Sequence, residues 1–543
     1  MKSEQYHGFE IPEYFTFDEV LKYVCEKVGT TPYEECLQKG ISIESLSDVN
    51  LDILLNKDGR YAVRPIVLAN PFLYYFLVRE VCCETNWQVV KNLFEKYKVP
   101  HITSCAIPVI PNEKEPFHKA TTINNWWNSM EQRSIELSLE YRYMFVSDIT
   151  NCYGAVNPQT FDWAFSLKDT TSATDVQSPI AHNIQKILRA FQHGRNIGIP
   201  QGSAIFDFVG EIILGYSDLL LHEALQDKGK VFPAYEIIRY RDDYRIFCSN
   251  KDALEDISYI LQEVLERLNF RMNSQKTKIS DSIVTDAVKS DKLAYIYNTP
   301  IFNKKGVDFD SFEKHLLNIL MFSRQYPDSG SIRIMLSDID KRIEEHLKSL
   351  EENNNSKAKN WESADLGEDT KPAKSEGIFS ELKNDKRPKY IPGGSVRALS
   401  AIYVQIALEN VGCVHYALRI ISRMINSLKD MIEKQSIIDL VYNKLCNQPN
   451  SDYNQLWLQN MTYTQDKNTG RSPYSLRLCQ LVMGNSEIPL WNNDWLKAVF
   501  VNGLPHDSIV NKDTLKKVTP VITFRETRAY YETIEEYIDT TNK

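Results

Sequence analysis

Long apolar runs are missing from this chain. Nothing approaches the roughly 18 uncharged apolar residues of a membrane-spanning helix, so no membrane partner is expected. The opening residues, Met1 to Gln5, are polar and no apolar stretch follows them, so no secretory signal is expected either. Cysteine occurs as ten scattered residues; Cys82 and Cys83 are adjacent, but no C-x-x-C pair exists, which argues against a zinc ribbon or a thioredoxin-type site. Dispersed thiols fit a reducing, cytoplasmic location and read individually as small buried apolar residues. A basic excess is missing too. There are 63 Lys and Arg against 72 Asp and Glu, a formal net charge of -9, which withholds the usual signature of a nucleic-acid binder.

What is present is an ordinary globular composition over 543 residues, 43% hydrophobic and 25% charged. It excludes a collagen-like, coiled-coil or wholly disordered chain. At roughly 150 residues per unit the length leaves room for roughly three or four structural units. The one conspicuous feature is aromatic: 29 Tyr, 23 Phe and 8 Trp.

Up to about residue 300, strand and helix patterns are interleaved as in an α+β domain. Thr16 and Glu19 form a T-x-x-E capping box ahead of Val20, Leu21 and Val24. In KDGRYAVRPIVLANPFL (57–73), Asp58-Gly59 signals a turn and the β-branched run after it a hairpin. YRYMFVSDI (141–149) reads as a largely buried strand ending in a carboxylate. Ile205, Phe208, Ile212, Tyr216 and Leu219 have helical spacing over 203–225. EIIRY (236–240) and YRIFC (244–248) are short strands flanking Arg241-Asp242-Asp243, and 253–268 is an amphipathic helix. From about 309 the pattern is nearly all helical, interrupted at about 351–390 by a polar stretch that reads as a flexible insertion. The helical units suggest a repeat array, although no sequence period identifies one.

Three features stand in order along the first half: Asp148 at a strand end with Tyr153 shortly after it, the loop Gly198-Ile199-Pro200-Gln201-Gly202-Ser203 opening a helix, and Tyr240-Arg241-Asp242-Asp243 at a hairpin tip. Each alone is a commonplace turn or cap. Together they can bring strand-end carboxylates onto hard divalent cations, which prefer oxygen ligands and substrate phosphates. Two such ions activate an attacking hydroxyl and stabilise the leaving oxygen in phosphoryl transfer.

VSDITNCYG, GIPQGS, YRDDYRIF and LNFRMNSQKTKI resemble the successive palm motifs of reverse transcriptases, over roughly residues 57–300. The resemblance implies an α+β right-hand polymerase: N-terminal helices and fingers at 1–140, palm at 141–305, and an all-α helical-repeat-like C-terminal domain at 306–543. It implies Asp148 and Asp242 as metal-binding aspartates, with Asp243 as the usually less indispensable second acid and the Ile149 carbonyl beside the same metals. The cofactor would be two Mg²⁺ ions, with Mn²⁺ as a substitute. Tyr153 falls at the steric gate that favours deoxynucleotides. Gln201 and Gly202 would let backbone approach the incoming nucleotide. Arg64 resembles the fingers arginine on the triphosphate, a role that suits a guanidinium, and Lys276 the lysine near the same phosphates, a candidate general acid toward pyrophosphate.

The box reads Tyr-Arg-Asp-Asp where many relatives carry a small residue before the acids, and no RNase H tetrad or HNH pattern follows residue 300. That combination, with NPFLYYFLVREV and YNQLWLQNM, resembles the bacterial defence-associated, abortive-infection reverse transcriptases. The resemblance implies antiviral DNA synthesis from dNTPs, a single-stranded DNA product and a homo-oligomer. It also implies template-independent synthesis, started in some members from a tyrosine of the protein. Tyr403, Tyr442, Tyr453, Tyr463, Tyr474, Tyr530 and Tyr531 are available, and the sequence singles out none of them. Other readings stay open here. One is an RNA-templated enzyme of a retron or mobile element, with an RNA template or noncoding RNA as partner. Another is an RNA-dependent RNA polymerase, which Tyr153 opposes. The last is an inactive RNA-binding scaffold, which the intact aspartates oppose.

Overall fold

A computed structural model describes residues 3–56, 63–106, 127–167, 178–227, 231–298, 312–362, 393–471, 473–485 and 489–524. Its strands are β1 (Leu51–Asn56), β2 (Val63–Leu68), β3 (Ile102–Ser104), β4 (Tyr143–Asp148), β5 (Tyr235–Tyr240), β6 (Asp243–Cys248) and β7 (Lys278–Ser280). β1 and β2 form an antiparallel hairpin by themselves. The other five make one sheet in the order β3-β5-β6-β4-β7, parallel only between β3 and β5.

The nearly continuous apolar text of β4 to β6 has a simple cause, since successive side chains of a strand point to opposite faces and here both faces are covered. Phe145, Ile237 and Ile246 enter the main core beneath the helices Ala204–Asp227 and Lys251–Arg267. Their neighbours Met144, Ile238 and Phe247 enter a smaller core with Met130, Leu137 and Ile283. The sheet is thus clamped between two apolar layers, and its polar strand ends are where chemistry is exposed.

The Ala204–Asp227 helix begins directly after the Gly198–Ser203 loop and is buried along most of its length. The expected hairpin at 57–73 is present as β1 and β2, with Leu51 opposite Leu68 and Asn56 opposite Val63. Its Asp58-Gly59 turn lies outside the described residues. The capping box does not form. The helix runs Asp18–Val28 from Phe17, which caps nothing with its side chain, and the Thr16 hydroxyl meets the Asp18 carboxylate at 3.2 Å. With Phe17 buried at the helix start, Thr16 keeps only a long contact from Asp18 N–H, at 3.5 Å.

Beyond residue 312 come the helices Phe312–Gln325, Gly330–Glu362, Gly393–Glu409, Val414–Ser427, Met431–Cys446 and Asp452–Thr469. Gly330–Glu362 continues into the polar stretch read as an insertion from about 351, because extending an existing helix adds a hydrogen bond for each residue ordered. Residues 363–392 lie outside the described set.

After these helices the chain returns to its own N-terminal part. Phe15 bridges Val510, Leu37 bridges Leu496, and Lys497 N–H donates to the Cys36 carbonyl. Trp491 and Trp495 are fully buried there, and the Trp491 indole N–H donates to the Leu68 carbonyl at the end of β2. One contiguous hydrophobic core joins Tyr6, the sheet, the helices and Ile522. Among the described residues no helix is long and apolar enough to cross a membrane.

Candidate active site

The strand pairing of β4 and β6 brings the acids together. Asp148 stands directly opposite Asp243, and residues opposite each other on antiparallel strands project from the same face. Asp242 occupies the turn between β5 and β6, where its carbonyl accepts the Ile149 N–H at 3.1 Å. The Asp148 carbonyl accepts Asn273 N–H at 2.9 Å, which ties the Lys276 segment to the same strand end. Lys276 Nζ then reaches Asp148 Oδ2 at 2.5 Å. That bond is the main reason its ammonium is held above the usual lysine range.

Burial, reinforced by the charges of Asp243 and Asp148, pushes Asp242 up to about 6. Burial also raises Asp243, against the lowering influence of Lys289. Asp148 Oδ1 is buried and accepts no hydrogen bond. Among the described residues no three His, Cys, Asp or Glu side chains stand as a preassembled ligand set, and Asp148 spends its second oxygen on Lys276. The donors nevertheless fit a hard cation: oxygen ligands only, one buried oxygen unpaired, and mutual repulsion that a divalent charge relieves.

The second cluster is built by the Gly198–Ser203 loop. Gly198 N–H donates to the Val156 carbonyl and Ile199 N–H to the Tyr153 carbonyl at 2.8 Å, so the loop lies against the segment following β4. The Gln201 carbonyl accepts Val67 N–H at 2.8 Å, which docks β2 on the other side. Gly202 has φ 130, and a Cβ there would stand 2.7 Å from the Val67 carbonyl. Glycine is therefore required by the close approach of β2. Arg64, exposed on the same strand, lies about 10 Å from Val67 at strand rise. Arg64 thus lies on the strand that docks on the loop.

Asp207, which sequence reading passed over, connects the clusters together with Arg241 of the Tyr-Arg-Asp-Asp box. The Tyr153 hydroxyl donates to Asp207 Oδ1 at 3.0 Å, and Arg241 Nη2 donates to Asp207 Oδ2 at 2.8 Å. Burial, with the Asp207 charge behind it, pushes the Tyr153 phenol well above its ordinary range. Beneath them, fully buried Arg239 binds Glu211 and Asp218, each at 2.7 Å, and donates to the Arg241 carbonyl at 3.1 Å. A signal for this was present. Asp207, Glu211 and Asp218 recur at helical spacing in the largely apolar first part of the helix, and Arg239 near the end of β5 is followed by Arg241 in the turn.

Of the candidate priming tyrosines, Tyr403, Tyr453 and Tyr474 are buried. Tyr442 and Tyr463 are half-buried, the former donating to the Pro473 carbonyl. Tyr530 and Tyr531 lie outside the described residues.

No protein-family model matches the chain, and no curated protein matches it. Among solved structures it is similar to apo telomerase from Candida tropicalis, with 15% identity, a TM-score of 0.29, and coverage of 78% of this chain and 73% of that one. It is also similar to telomerase from Candida albicans in complex with a TWJ fragment of telomeric RNA, with 12% identity, a TM-score of 0.26, and coverage of 77% and 67%. Likeness at this level carries neither a fold nor an activity to this chain.

Proposed function

We propose that the chain is a reverse-transcriptase-like DNA polymerase that transfers nucleotidyl groups from dNTPs, with fingers at 1–140, palm at 141–305 and a helical region from 306. The observation that carries this reading is the Asp148–Asp243 cross-strand pair with Asp242 in the adjoining turn, together with a glycine loop that packs against both the Tyr153 segment and the Arg64 hairpin. The ordered motifs of the sequence support it independently.

Asp148, Asp242, Asp243 and the Ile149 carbonyl would hold two Mg²⁺ ions, or Mn²⁺ in their place. Bound there, such ions lower the pKa of an attacking hydroxyl and neutralise charge on the leaving oxygens. The rest falls to the chain's own groups. Arg64 clamps the triphosphate through paired N–H donors. Gly202 lets backbone close on the nucleotide without a Cβ in the way. The Tyr153 ring takes the space a 2′-hydroxyl would need. Lys276 keeps an ammonium beside Asp148, positioned to donate a proton to departing pyrophosphate. The test is dNTP incorporation with Mg²⁺: Asp242→Ala abolishes it, and incorporation retained in that variant overturns the assignment.

We extend the proposal to antiviral defence, with single-stranded DNA as product, an RNA template or noncoding RNA as partner, and a homo-oligomer as the working form. The motif resemblance supports these points. Priming by a tyrosine of the protein fits the half-buried Tyr442 and Tyr463 better than the three buried phenols, whose hydroxyls no incoming nucleotide reaches without local opening. Incubation with dNTPs and Mg²⁺ should then give DNA whose mobility shifts on protease treatment. Free DNA of unshifted mobility rejects protein priming.

A further inference from the structure

We propose that Asp207 is a positioning residue that sets the discrimination between deoxyribonucleoside and ribonucleoside triphosphates, by locking the Tyr153 ring to the acid-bearing turn. The inference rests on the polymerase reading and adds a specificity determinant to it.

A ring that excludes a single hydroxyl has to be held to a fraction of an ångström, since displacement by the width of one oxygen removes the exclusion. Tyr153 follows β4 on the short helix Cys152–Ala155, and its carbonyl is tied to Ile199 N–H. Those contacts place its backbone and leave its side-chain torsions open. One face of the ring rests on Gly210, where a Cβ would come within 3.1 Å of Cε1. A glycine is unfavourable in a helix interior, and here it makes room for the ring to lie on the helix. Among the described residues the far end of the ring is held by Asp207, whose Oδ1 accepts the phenol at 3.0 Å.

The same carboxylate does not stop at the gate. Its Oδ2 pairs with Arg241 at 2.8 Å. Arg241 sits in the left-handed region with φ 54, and its carbonyl is gripped from below by buried Arg239. It immediately precedes Asp242. One carboxylate thus fixes the distance between the ring that faces the sugar and the turn that carries the acids. A small residue in place of Arg241 would leave this link unmade, so the unusual arginine of the Tyr-Arg-Asp-Asp box acquires a purpose.

The two oxygens permit an experiment that separates the roles. The full-length protein is assayed with Mg²⁺ and either dNTPs or rNTPs, and the ratio of kcat/KM values is the readout. Asp207→Ala removes the phenol's acceptor and is expected to lower deoxy-over-ribo selectivity about tenfold, the worth of one hydrogen bond to a charged group. Tyr153→Phe deletes only the hydroxyl and is expected to reproduce that loss. The double variant should be no less selective than either single one. Asp207→Asn keeps an oxygen acceptor for the phenol but weakens the Arg241 pair, so it should recover only part of the selectivity lost in Asp207→Ala. A wild-type ratio in Tyr153→Phe overturns the inference even if Asp207→Ala fails to fold, and so does a wild-type ratio in folded Asp207→Ala. If the unmodified protein incorporates no nucleotide at all, the polymerase reading falls first and this one with it. Incorporation with unchanged selectivity in both variants removes this inference only.

Discussion

Asp243 is more exposed to mechanistic demand than its place in the motif implies. The resemblance ranks it below Asp242, yet the register sets it directly opposite Asp148, sharing that residue's face of the sheet. We therefore expect Asp243→Asn to reduce single-turnover primer extension on the order of a hundredfold, as expected for a group that stabilises transition-state charge; a loss under about threefold would restore the ranking taken from the motif. Arg239 is the structural counterpart. It is fully buried between Glu211 and Asp218, with Tyr244 beside the same carboxylates. Arg239→Leu leaves two buried acids without their counter-charge and should cost about 3–5 kcal/mol in urea denaturation. Changing Arg239, Glu211 and Asp218 together to apolar residues should cost less than that single change, because the desolvation penalty then disappears with the charges. At this scale the acids, Tyr153 and the glycine loop stood out in the sequence, because each belongs to a local motif. Asp207 left only its helical spacing with Glu211 and Asp218; its partners Tyr153 and Arg241 lie elsewhere in the chain, and only packing brings them to it.

At the scale of elements, strands and helices followed the periodicity of the text wherever burial was one-sided or complete. They departed from it at ends, where tertiary contacts compete with capping. Thr16 keeps only a long contact to Asp18 N–H where Phe17, buried in the core, starts the helix. The helices of the C-terminal half are pinned to one another by polar contacts as well as apolar ones. Arg419 and Arg423 both reach Asp340 across the Gly330–Glu362 and Val414–Ser427 helices. Arg342 Nη1 meets His315 Nδ1 at 2.8 Å between Gly330–Glu362 and Phe312–Gln325. Burial, aided by the Arg342 charge, pushes His315 down to about 4. Its pKa in the unfolded chain is about 6.5, so between those values the unfolded state takes up the proton and the folded state does not. Stability from this site is fully present above about pH 6.5 and is lost as pH falls toward 4. The thermal midpoint should therefore fall more steeply from pH 7 to pH 5 in the unmodified protein than in His315→Gln. Parallel curves would show that His315 does not titrate between these helices.

At the scale of the whole molecule, the helices beyond residue 312 and the sheet-containing part before them share one core. The 489–524 segment closes over the N-terminal part with Trp491 and Trp495, and Asn493 Oδ1 accepts Asn70 Nδ2 at 2.8 Å. The Asp452–Thr469 helix also touches the β1–β2 hairpin, where Asp452 Oδ2 accepts Leu54 N–H at 3.2 Å. Trp495→Ala should cost about 3–5 kcal/mol. We expect the loss to be felt by the N-terminal helices, seen as lowered hydrogen-exchange protection in the Asp18–Val28 helix. If protection there is unchanged while the helices beyond 312 loosen, the segment belongs to the helical half alone.

Local order is what the sequence by itself determined. Alternation and helical spacing report how each segment buries one face, and the carboxylates, glycines and tyrosine of the motifs report a chemistry that needs those groups in that order. The net charge of -9 is silent on a site, since a whole-chain sum does not say where charge lies. The tertiary structure alone decided which acid faces Asp148, which tyrosines are buried, how the 489–524 segment travels back to the N-terminal helices, and which carboxylate holds the Tyr153 ring. These are contacts between residues far apart in the chain. They are set by strand register and by the packing of one long helix on a sheet, and neither leaves a mark in the periodicity of the segments it joins.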